Sequence, residues 1–344
     1  MTVTRAAVVQ SRTTPFDSAG AIDLVEHWAS RAAAEGAQLA VFPEAFIGGY
    51  PKGSTFGAVV GQRTPEGRDE YLRYFNGAID VPGAETSRLC RFASKLGLYL
   101  VVGVVERGGS TLYCSALYVS PEGSLLGKRR KLMPTAAERL VWGFGDGSTM
   151  NVYDTGIGRL GAVLCWENLM PAARMAMYEQ GIQLYCAPTA VGLDSHHATM
   201  RHIAQEGRCF VLAANQVMRL KDFPEGYTTV FGDDPNTLIS TGGSSIIDPL
   251  GNVLAGPVHD EETLLVADLD LDDIVRAKYD FDVVGHYSRP DIFRLSVDRS
   301  ARQPVSFTGE FGRSSVVELS VPSATAPTKA AAKSPASHGG HYRE

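Results

Sequence analysis

Residues 160–180, LGAVLCWENLMPAARMAMYEQ, contain the clearest indication of the fold. A short apolar run, Leu160–Leu164, is followed by a turn at Cys165. From about Pro171 the apolar residues recur at the spacing of an amphipathic helix. A strand, a turn and a helix in succession form the repeating unit of α/β proteins, so this stretch predicts the α/β fold class.

The same alternation extends in both directions along the chain. The predicted strands are Ala6–Val9, Gln38–Phe42, Tyr99–Val105, Thr111–Ser120, Leu160–Leu164, Leu184–Ala187, Phe210–Ala214, Ser244–Ile247, Val253–Ala255 and Val266–Leu269. The predicted helices are Ala19–Glu35, Thr86–Leu96, Ala172–Gln180, His197–Gly207 and Leu271–Tyr279. Turns at 121–124 and 248–251 add antiparallel hairpins. We expect one layered domain over residues 1–320 and a flexible tail over residues 321–344, which are rich in Ala, Pro, Ser and Gly.

Composition excludes several classes of protein. The chain has 344 residues, 44% of them hydrophobic, with 32 Lys+Arg against 38 Asp+Glu. This balance is that of a globular protein with a large core, not of a disordered chain or a fibre. A formal net charge of -6 argues against a nucleic-acid partner. No run approaches the about 20 apolar residues that cross a bilayer, and no signal peptide is evident, so we expect a cytoplasmic protein with no membrane partner.

Five cysteines are present, and their odd number and wide spacing make a disulfide framework improbable on chemical grounds. Cys90, Cys114, Cys186 and Cys209 lie within predicted helix or strand patterns, which is typical of core cysteines. Cys165 lies at the end of an element, between a strand and a helix. A thiol at that position suits a nucleophile, because backbone N–H groups and a helix N-terminus favour its thiolate. A buried core cysteine is the alternative.

Three charged residues are further candidates. Glu44 ends a strand among apolar neighbours, where a carboxylate suits a general base; an acidic loop cap is the alternative. Lys131 closes the charged run Lys128–Lys131, which follows a strand indicated near Leu125-Leu126. We expect Lys131 to turn inward while the first three residues of the run stay at the surface. Glu138 opens an apolar stretch; a surface ion pair with Arg139 is its alternative.

Metal and phosphate sites are not supported by the sequence. His202 and Glu206 share a helix face, but no frame of the HExxH type accompanies them, so we expect no metal. The glycine-rich segment 143–147 lacks the pattern of a phosphate-binding loop and is interpreted as a turn.

Taken together, the candidates identify a family resemblance. The segments Phe42–Phe46, Arg130–Thr135, Cys165–Asn168, Glu138–Gly143 with Gly145–Ser148, and Gly285–Asp291 resemble signature segments of the nitrilase superfamily of carbon–nitrogen hydrolases. The resemblance covers roughly Arg5 to Leu295 and is strongest to the plant-type nitrilases and their bacterial relatives. Arg129 replaces a histidine found in many relatives, a change that we interpret as lying at the surface.

The resemblance implies a four-layer α-β-β-α sandwich and homo-oligomers, often spirals or filaments. It also implies a Glu-Lys-Cys triad that needs no cofactor. Cys165 would attack the nitrile carbon, Glu44 would be the general base, Lys131 would stabilise the tetrahedral intermediate, and Glu138 would support the lysine.

The resemblance further implies a small-molecule nitrile as substrate, with arylaliphatic nitriles such as phenylpropionitrile and arylacetonitriles as the first expectation. We assign Tyr50, Trp142 and Trp166 to substrate binding; Tyr50 and Trp142 suit core or oligomer contacts equally well. Alternatives are a β-cyano-L-alanine nitrilase/hydratase that releases acid and amide, and an amidase of the same superfamily. A non-catalytic scaffold is a further alternative, which the intact set of charged residues and Cys165 disfavours.

Overall fold

The apolar runs of the sequence form strands in the computed structural model, which describes residues 3–190, 192–227, 229–302 and 305. The strands of this part of the chain are β1 Val3–Gln10, β2 Leu39–Val41, β3 Ala58–Val59, β4 Gln62–Arg63, β5 Ile79–Asp80, β6 Tyr99–Gly108, β7 Thr111–Val119, β8 Leu125–Arg130, β9 Tyr153–Thr155, β10 Gly158–Ala162, β11 Leu184–Thr189, β12 Phe210–Asn215, β13 Val217–Arg219, β14 Leu238–Ile247, β15 Val253–His259 and β16 Thr263–Asp270.

Amphipathic segments between the strands form the helices. These are α1 Ser18–Ala34, α2 Pro65–Asn76, α3 Ala84–Leu96, α4 Pro171–Glu179, α5 Asp194–Gly207 and α6 Asp272–Ala277. Short 3₁₀ turns occur at Ala136–Leu140, Gly147–Thr149, Cys165–Leu169 and Leu220–Asp222. α1 begins where the Asp17 side chain accepts a hydrogen bond from Gly20 N, and α3 ends at Gly97 in the left-handed conformation.

The strands form two seven-stranded mixed sheets and one small hairpin, β3–β4. The first sheet has the order β16-β1-β2-β6-β7-β8, with β5 paired to β6. The second has the order β13-β14-β12-β11-β10-β9, with β15 paired to β14. Each sheet contains a parallel core, β1-β2-β6 in the first and β10-β11-β12 in the second, and the strands at both ends of each order pair antiparallel with their neighbours. The parallel cores matter because ligands of α/β proteins bind outside the carboxyl ends of such strands.

Three hydrophobic clusters show the layers. The largest lies between the sheets and combines Val8, Val41 and Val101 with Leu160, Leu184 and Leu212. A second packs the outer face of the first sheet against α1 and α3, and a third packs the outer face of the second sheet against α4 and α5. The order of layers is therefore helix, sheet, sheet, helix, which confirms the expected α-β-β-α sandwich.

Sequence periodicity located most elements to within a few residues but missed several. The largest omission is α2, although Thr64 caps it and Pro65 occupies its first turn, both ordinary start signals. Strand β8 extends to Arg130, four residues beyond the apolar pair Leu125-Leu126 that indicated it. Cys209 was placed within an element, and this is wrong: it lies between α5 and β12, at an element end as Cys165 does.

None of the helices in the described part of the chain combines the length and apolarity needed to span a bilayer. The predicted domain limit at residue 320 and the tail 321–344 lie outside the described residues, so both remain predictions.

Candidate active site

Glu44 follows β2 and is completely buried. Its Oε1 accepts hydrogen bonds from Lys131 Nζ, at 2.7 Å, and from the Cys114 thiol, at 3.4 Å. Its Oε2 accepts one from Ala190 N, at 3.1 Å, at the carboxyl end of β11. Donors from both sheets therefore hold this carboxylate at the sheet edge where the parallel strands end.

Close backbone packing brings Glu44 to this position. Gly103 of β6 lies against the segment Pro43–Glu44, and a Cβ atom at Gly103 would be 2.1 Å from Pro43 O. Only glycine admits so close an approach. On the other side, Gln216 Nε2 donates to the carbonyl oxygen of Glu44 at 2.7 Å.

Lys131 follows β8 and lies between two carboxylates. Its Nζ donates to Glu44 Oε1 and to Glu138 Oε2, each at 2.7 Å, and its side chain is fully buried. Its backbone N–H donates to Cys114 O at 2.8 Å, which ties it to β7. Glu138 in turn accepts hydrogen bonds from Tyr50 Oη at 2.6 Å and from Thr135 N at 2.7 Å. The ammonium is thus held in one place by two anions.

Cys165 begins the 3₁₀ turn after β10 and is 1% exposed. Its φ of 50° lies in the left-handed region, which costs energy for a residue with a side chain. Asn168 supports this conformation, because its Nδ2 donates to Cys165 O at 2.7 Å and to Val163 O at 3.0 Å. Tyr185 Oη donates to Asn168 Oδ1 at 2.7 Å and so fixes the amide. A strained turn with its own hydrogen-bond support is characteristic of a functional site.

The acid, base and thiol groups meet in one cluster. Cys165 Sγ and a carboxylate oxygen of each of Glu44 and Glu138 lie within 4.8 Å of one another, with the Lys131 ammonium in contact with both carboxylates. Burial raises the pKa of Glu44 above its ordinary value. Burial, together with the Glu44 charge, raises the pKa of the Cys165 thiol to about 12. Burial lowers the pKa of Lys131, but the anionic groups around it outweigh that effect and raise its pKa well above the ordinary value. The resting state is therefore a thiol beside an unusually basic carboxylate and a fixed ammonium.

Arg129 is buried, so the prediction that it lies at the surface is wrong. Its side chain is completely excluded from solvent, and Nη2 lies 3.1 Å from Glu167 Oε1. Glu167 also accepts hydrogen bonds from Leu132 N at 2.7 Å and from Leu164 N at 3.3 Å. Because the charge of Glu167 is buried, it needs an internal cation, and Arg129 supplies one.

A family comparison agrees with this geometry. The sequence model described as "Carbon-nitrogen hydrolase" matches residues 5–279. The chain belongs to the carbon–nitrogen hydrolase family.

Relatives place this hydrolase in the nitrilase branch of the family. It is 58% identical over 305 residues to an aliphatic nitrilase of Sinorhizobium fredii, covering 89% of this chain and 99% of that protein. It is 55% identical over 308 residues to a bifunctional nitrilase/nitrile hydratase of Nicotiana tabacum, covering 88% of each chain. Among solved structures, an amidase from Nesterenkonia sp. AN1 aligns with a TM-score of 0.60 at 26% identity, covering 79% of this chain and 95% of that one.

The hydrolase has a cavity of about 690 Å³ that reaches Cys165 and Glu138. Most of its wall is apolar, and the apolar lining residues include Phe56, Leu140, Val141, Trp166, Leu193, Phe231 and Ile239. Such a cavity has the size and character of a small-molecule site.

The three residues predicted to bind substrate differ in position. Tyr50 and Trp166 line the cavity, and the Trp166 side chain is 45% exposed. Trp142 is not among the residues that line the cavity: it is buried, packs edge-on against the Tyr50 ring at 5.5 Å, and donates from Nε1 to Tyr74 Oη at 3.0 Å. Trp142 therefore packs against the Tyr50 ring in the interior and supports its position.

Two residues of the site were not predicted from the sequence. Cys114, interpreted as a core cysteine, donates to Glu44. Lys52 lines the cavity, and its Nζ donates a hydrogen bond to Ser240 Oγ. Only the position of Lys52, two residues after Tyr50 in the same loop, could have suggested a role.

Proposed function

We propose that the protein is a nitrilase that converts arylaliphatic nitriles, such as 3-phenylpropionitrile and arylacetonitriles, to the carboxylic acid and ammonia. The observation that carries the proposal is the Lys131 ammonium, held between Glu44 and Glu138 beside Cys165. This set supplies a nucleophile, a base and a fixed positive charge at one point. The apolar cavity wall supports the choice of an arylaliphatic substrate.

In the first step, Glu44 accepts the thiol proton of Cys165 as Sγ attacks the nitrile carbon. One C–N π bond breaks, its electron pair moves to nitrogen, and the proton from Glu44 is delivered there, which gives a covalent thioimidate. The raised pKa of Glu44 suits this role, since a more basic carboxylate is the better proton acceptor near neutral pH.

In the second step, Glu44 takes a proton from water, whose oxygen adds to the thioimidate carbon. The tetrahedral intermediate carries charge that the Lys131 ammonium stabilises from a fixed position. Protonation of the nitrogen and loss of ammonia leave a thioester. A second water hydrolyses the thioester, releases the acid and returns the proton to Sγ.

The same tetrahedral intermediate can expel the Cys165 thiolate, and the product is then an amide. The tobacco relative named a bifunctional nitrilase/nitrile hydratase supports this second outlet. A β-cyano-L-alanine nitrilase/hydratase that forms acid and amide is accordingly the alternative proposal. An amidase is the other alternative, supported by the fold of the Nesterenkonia sp. AN1 amidase.

The test is a nitrile panel in which acid, amide and ammonia are all quantified. The panel contains 3-phenylpropionitrile, phenylacetonitrile, β-cyano-L-alanine, a simple aliphatic nitrile and 3-phenylpropionamide. We expect ammonia and acid from 3-phenylpropionitrile, none from its amide, and no turnover in Cys165→Ala. Cys90→Ala, a change in α3, is the matched control and should behave as wild type. Release of ammonia from the amide alone would contradict the proposal.

We further propose that the protein forms homo-oligomers, including spirals or filaments, and acts in the cytoplasm. Exposed apolar side chains outside the cavity, such as Leu169, Val275 and Tyr279, support association between copies. Five unpaired cysteines support a reducing compartment. Light scattering and electron microscopy test the oligomeric state, and a monomer at all concentrations would contradict that proposal. Cell fractionation tests the cytoplasmic location.

A further inference from the structure

Lys52 is a cation in the wall of the cavity that the proposed mechanism does not use. Its Nζ donates to Ser240 Oγ at 3.1 Å and to Ala190 O at 3.4 Å. Both acceptors are uncharged, and an ammonium has three N–H groups, so one donor remains available. Among the described residues that line the cavity, Lys52 is the one basic side chain.

No carboxylate of the described residues pairs with Lys52. Burial lowers the pKa of Lys52, and only a thiolate at Cys165, which is a thiol in the resting state, would oppose this effect. A half-buried ammonium whose hydrogen bonds go only to neutral oxygens lacks the counter-ion that normally offsets its desolvation. This is the opposite of Lys131, which contacts two carboxylates. An anion that entered the cavity would supply the missing charge.

The loop around Lys52 is rigidly held. Tyr227 Oη donates to Lys52 O at 2.8 Å, and Val230 N donates to Gly53 O at 3.1 Å. Gly53 has a φ of 83°, and a Cβ atom there would lie 2.6 Å from the Phe231 ring. These contacts position the backbone that presents the ammonium, which is the arrangement expected of a recognition group.

We propose that Lys52 is a specificity-determining residue that binds a carboxylate on the nitrile substrate, at the end remote from the nitrile. The inference rests on the proposed nitrilase function, since Lys52 and Cys165 line the same cavity. A substrate with a nitrile at one end and a carboxylate at the other would contact both residues. Its apolar middle would contact the aromatic and aliphatic wall.

The experiment compares nitriles that differ only in charge at the remote end. The matched pairs are 3-cyanopropanoate with 3-cyanopropanamide, and 4-(cyanomethyl)benzoate with 4-(cyanomethyl)benzamide. For each pair we measure the ratio of kcat/KM values, carboxylate over amide, in wild type, Lys52→Met and Lys52→Arg. Lys95→Met is the matched control, because Lys95 is 74% exposed and remote in sequence from the cavity residues.

We expect that Lys52→Met lowers this ratio about 10- to 100-fold, because it removes one charge-assisted hydrogen bond. The effect should appear in the pair whose carboxylate reaches Lys52 when its nitrile lies at Cys165. Lys52→Arg should restore much of the ratio, and Lys95→Met should leave it unchanged. An equal loss for carboxylate and amide would overturn the proposal, as would a wild-type ratio that Lys52→Met does not alter.

Binding measurements keep the inference separable from the proposed chemistry. Calorimetry on Cys165→Ala, which cannot turn over, should show 4-(cyanomethyl)benzoate binding about 10- to 100-fold more weakly when Lys52→Met is added. Absence of turnover with normal Lys52-dependent binding would contradict the nitrilase function alone. Turnover of the neutral nitriles with Lys52-independent binding would contradict this inference alone.

Discussion

The guanidinium of Arg129 and the carboxylate of Glu167 form an ion pair at 3.1 Å inside the protein, and neither side chain reaches solvent. Glu167 also binds the backbone N–H groups of Leu132 and Leu164. These residues are the chain neighbours of Lys131 and Cys165. The ion pair therefore lies at the junction of the two segments that present the fixed ammonium and the nucleophile.

Arg129→Met should destabilise the protein by about 3–5 kcal/mol, because it leaves the Glu167 charge buried without a partner. Activity should fall as well, since the Leu132 and Leu164 segments lose their common anchor. Urea unfolding and kcat measure the two effects. The double variant Arg129→Met with Glu167→Gln should recover part of the stability, since no unpaired charge then remains.

Arg68→Met, an exposed change in α2, is the control and should alter the free energy of unfolding by less than about 0.5 kcal/mol. If Arg129→Met lowers the free energy of unfolding as little as this control does, the ion pair does not stabilise the site.

The misplacement of Arg129 has a simple physical reason. The apolar pair Leu125-Leu126 predicts only a short strand, and the charged run after it is typical of a solvated segment. The strand extends to Arg130, and successive side chains of a strand point to opposite faces. Arg129 and Lys131 therefore face the space between the sheets, while Lys128 and Arg130 both contact Glu106 on the other face. Period-two alternation over the whole run would have predicted this.

The positions of Glu44 and Cys165 could be predicted, because the neighbouring sequence alone indicates each of them. Glu44 and Cys165 each directly follow an apolar strand, and strand ends of an α/β sheet converge on one edge. The contacts of Cys114 and Ala190 with Glu44 have no such signal. They depend on which strands pair, and on how the two sheets face each other, across 70 and 146 positions of the chain.

Cys114→Ala should move the acidic limb of the kcat/KM profile to higher pH. The Cys114 thiol donates to Glu44 Oε1, and a donor to a carboxylate favours the ionised form. Its loss raises the pKa of Glu44 beyond the increase that burial already causes, so less of the base is ionised at a given pH. Initial rates between about pH 4 and pH 9 measure the shift.

Cys114→Ser keeps a donor in place and should leave the limb near its wild-type position or move it to lower pH. A purely structural role would predict lower activity at all pH values with no displacement of the limb. That result would show that the thiol does not tune Glu44.

Glu106→Gln should weaken the dependence of stability on acid pH. Burial raises the pKa of Glu106, but hydrogen bonds from Arg130, Lys128 and Ser115 outweigh it, and the net pKa is lowered. A carboxyl whose pKa is lower in the folded state stabilises the protein above its unfolded pKa, and this contribution is lost as pH falls through the folded pKa. The variant should therefore be less stable than wild type at pH 7, and the difference should narrow below about pH 4. Measurements of the free energy of unfolding of both proteins at several pH values test this prediction. A difference between wild type and Glu106→Gln that stays constant with pH would contradict it.

Asn168→Ala should lower kcat about 10- to 100-fold while KM changes little, because a buried amide that makes two donor hydrogen bonds is removed. Those bonds hold the carbonyl oxygens of Val163 and of Cys165 itself, whose φ is 50°, so their loss lets Cys165 relax away from Glu44. Tyr185→Phe is the graded control, since it removes only the bond that orients the amide and should cost less. The rate of Cys165 alkylation by iodoacetamide should fall in the same order. Equal kcat values in all three proteins would mean that the turn keeps its strained conformation without Asn168.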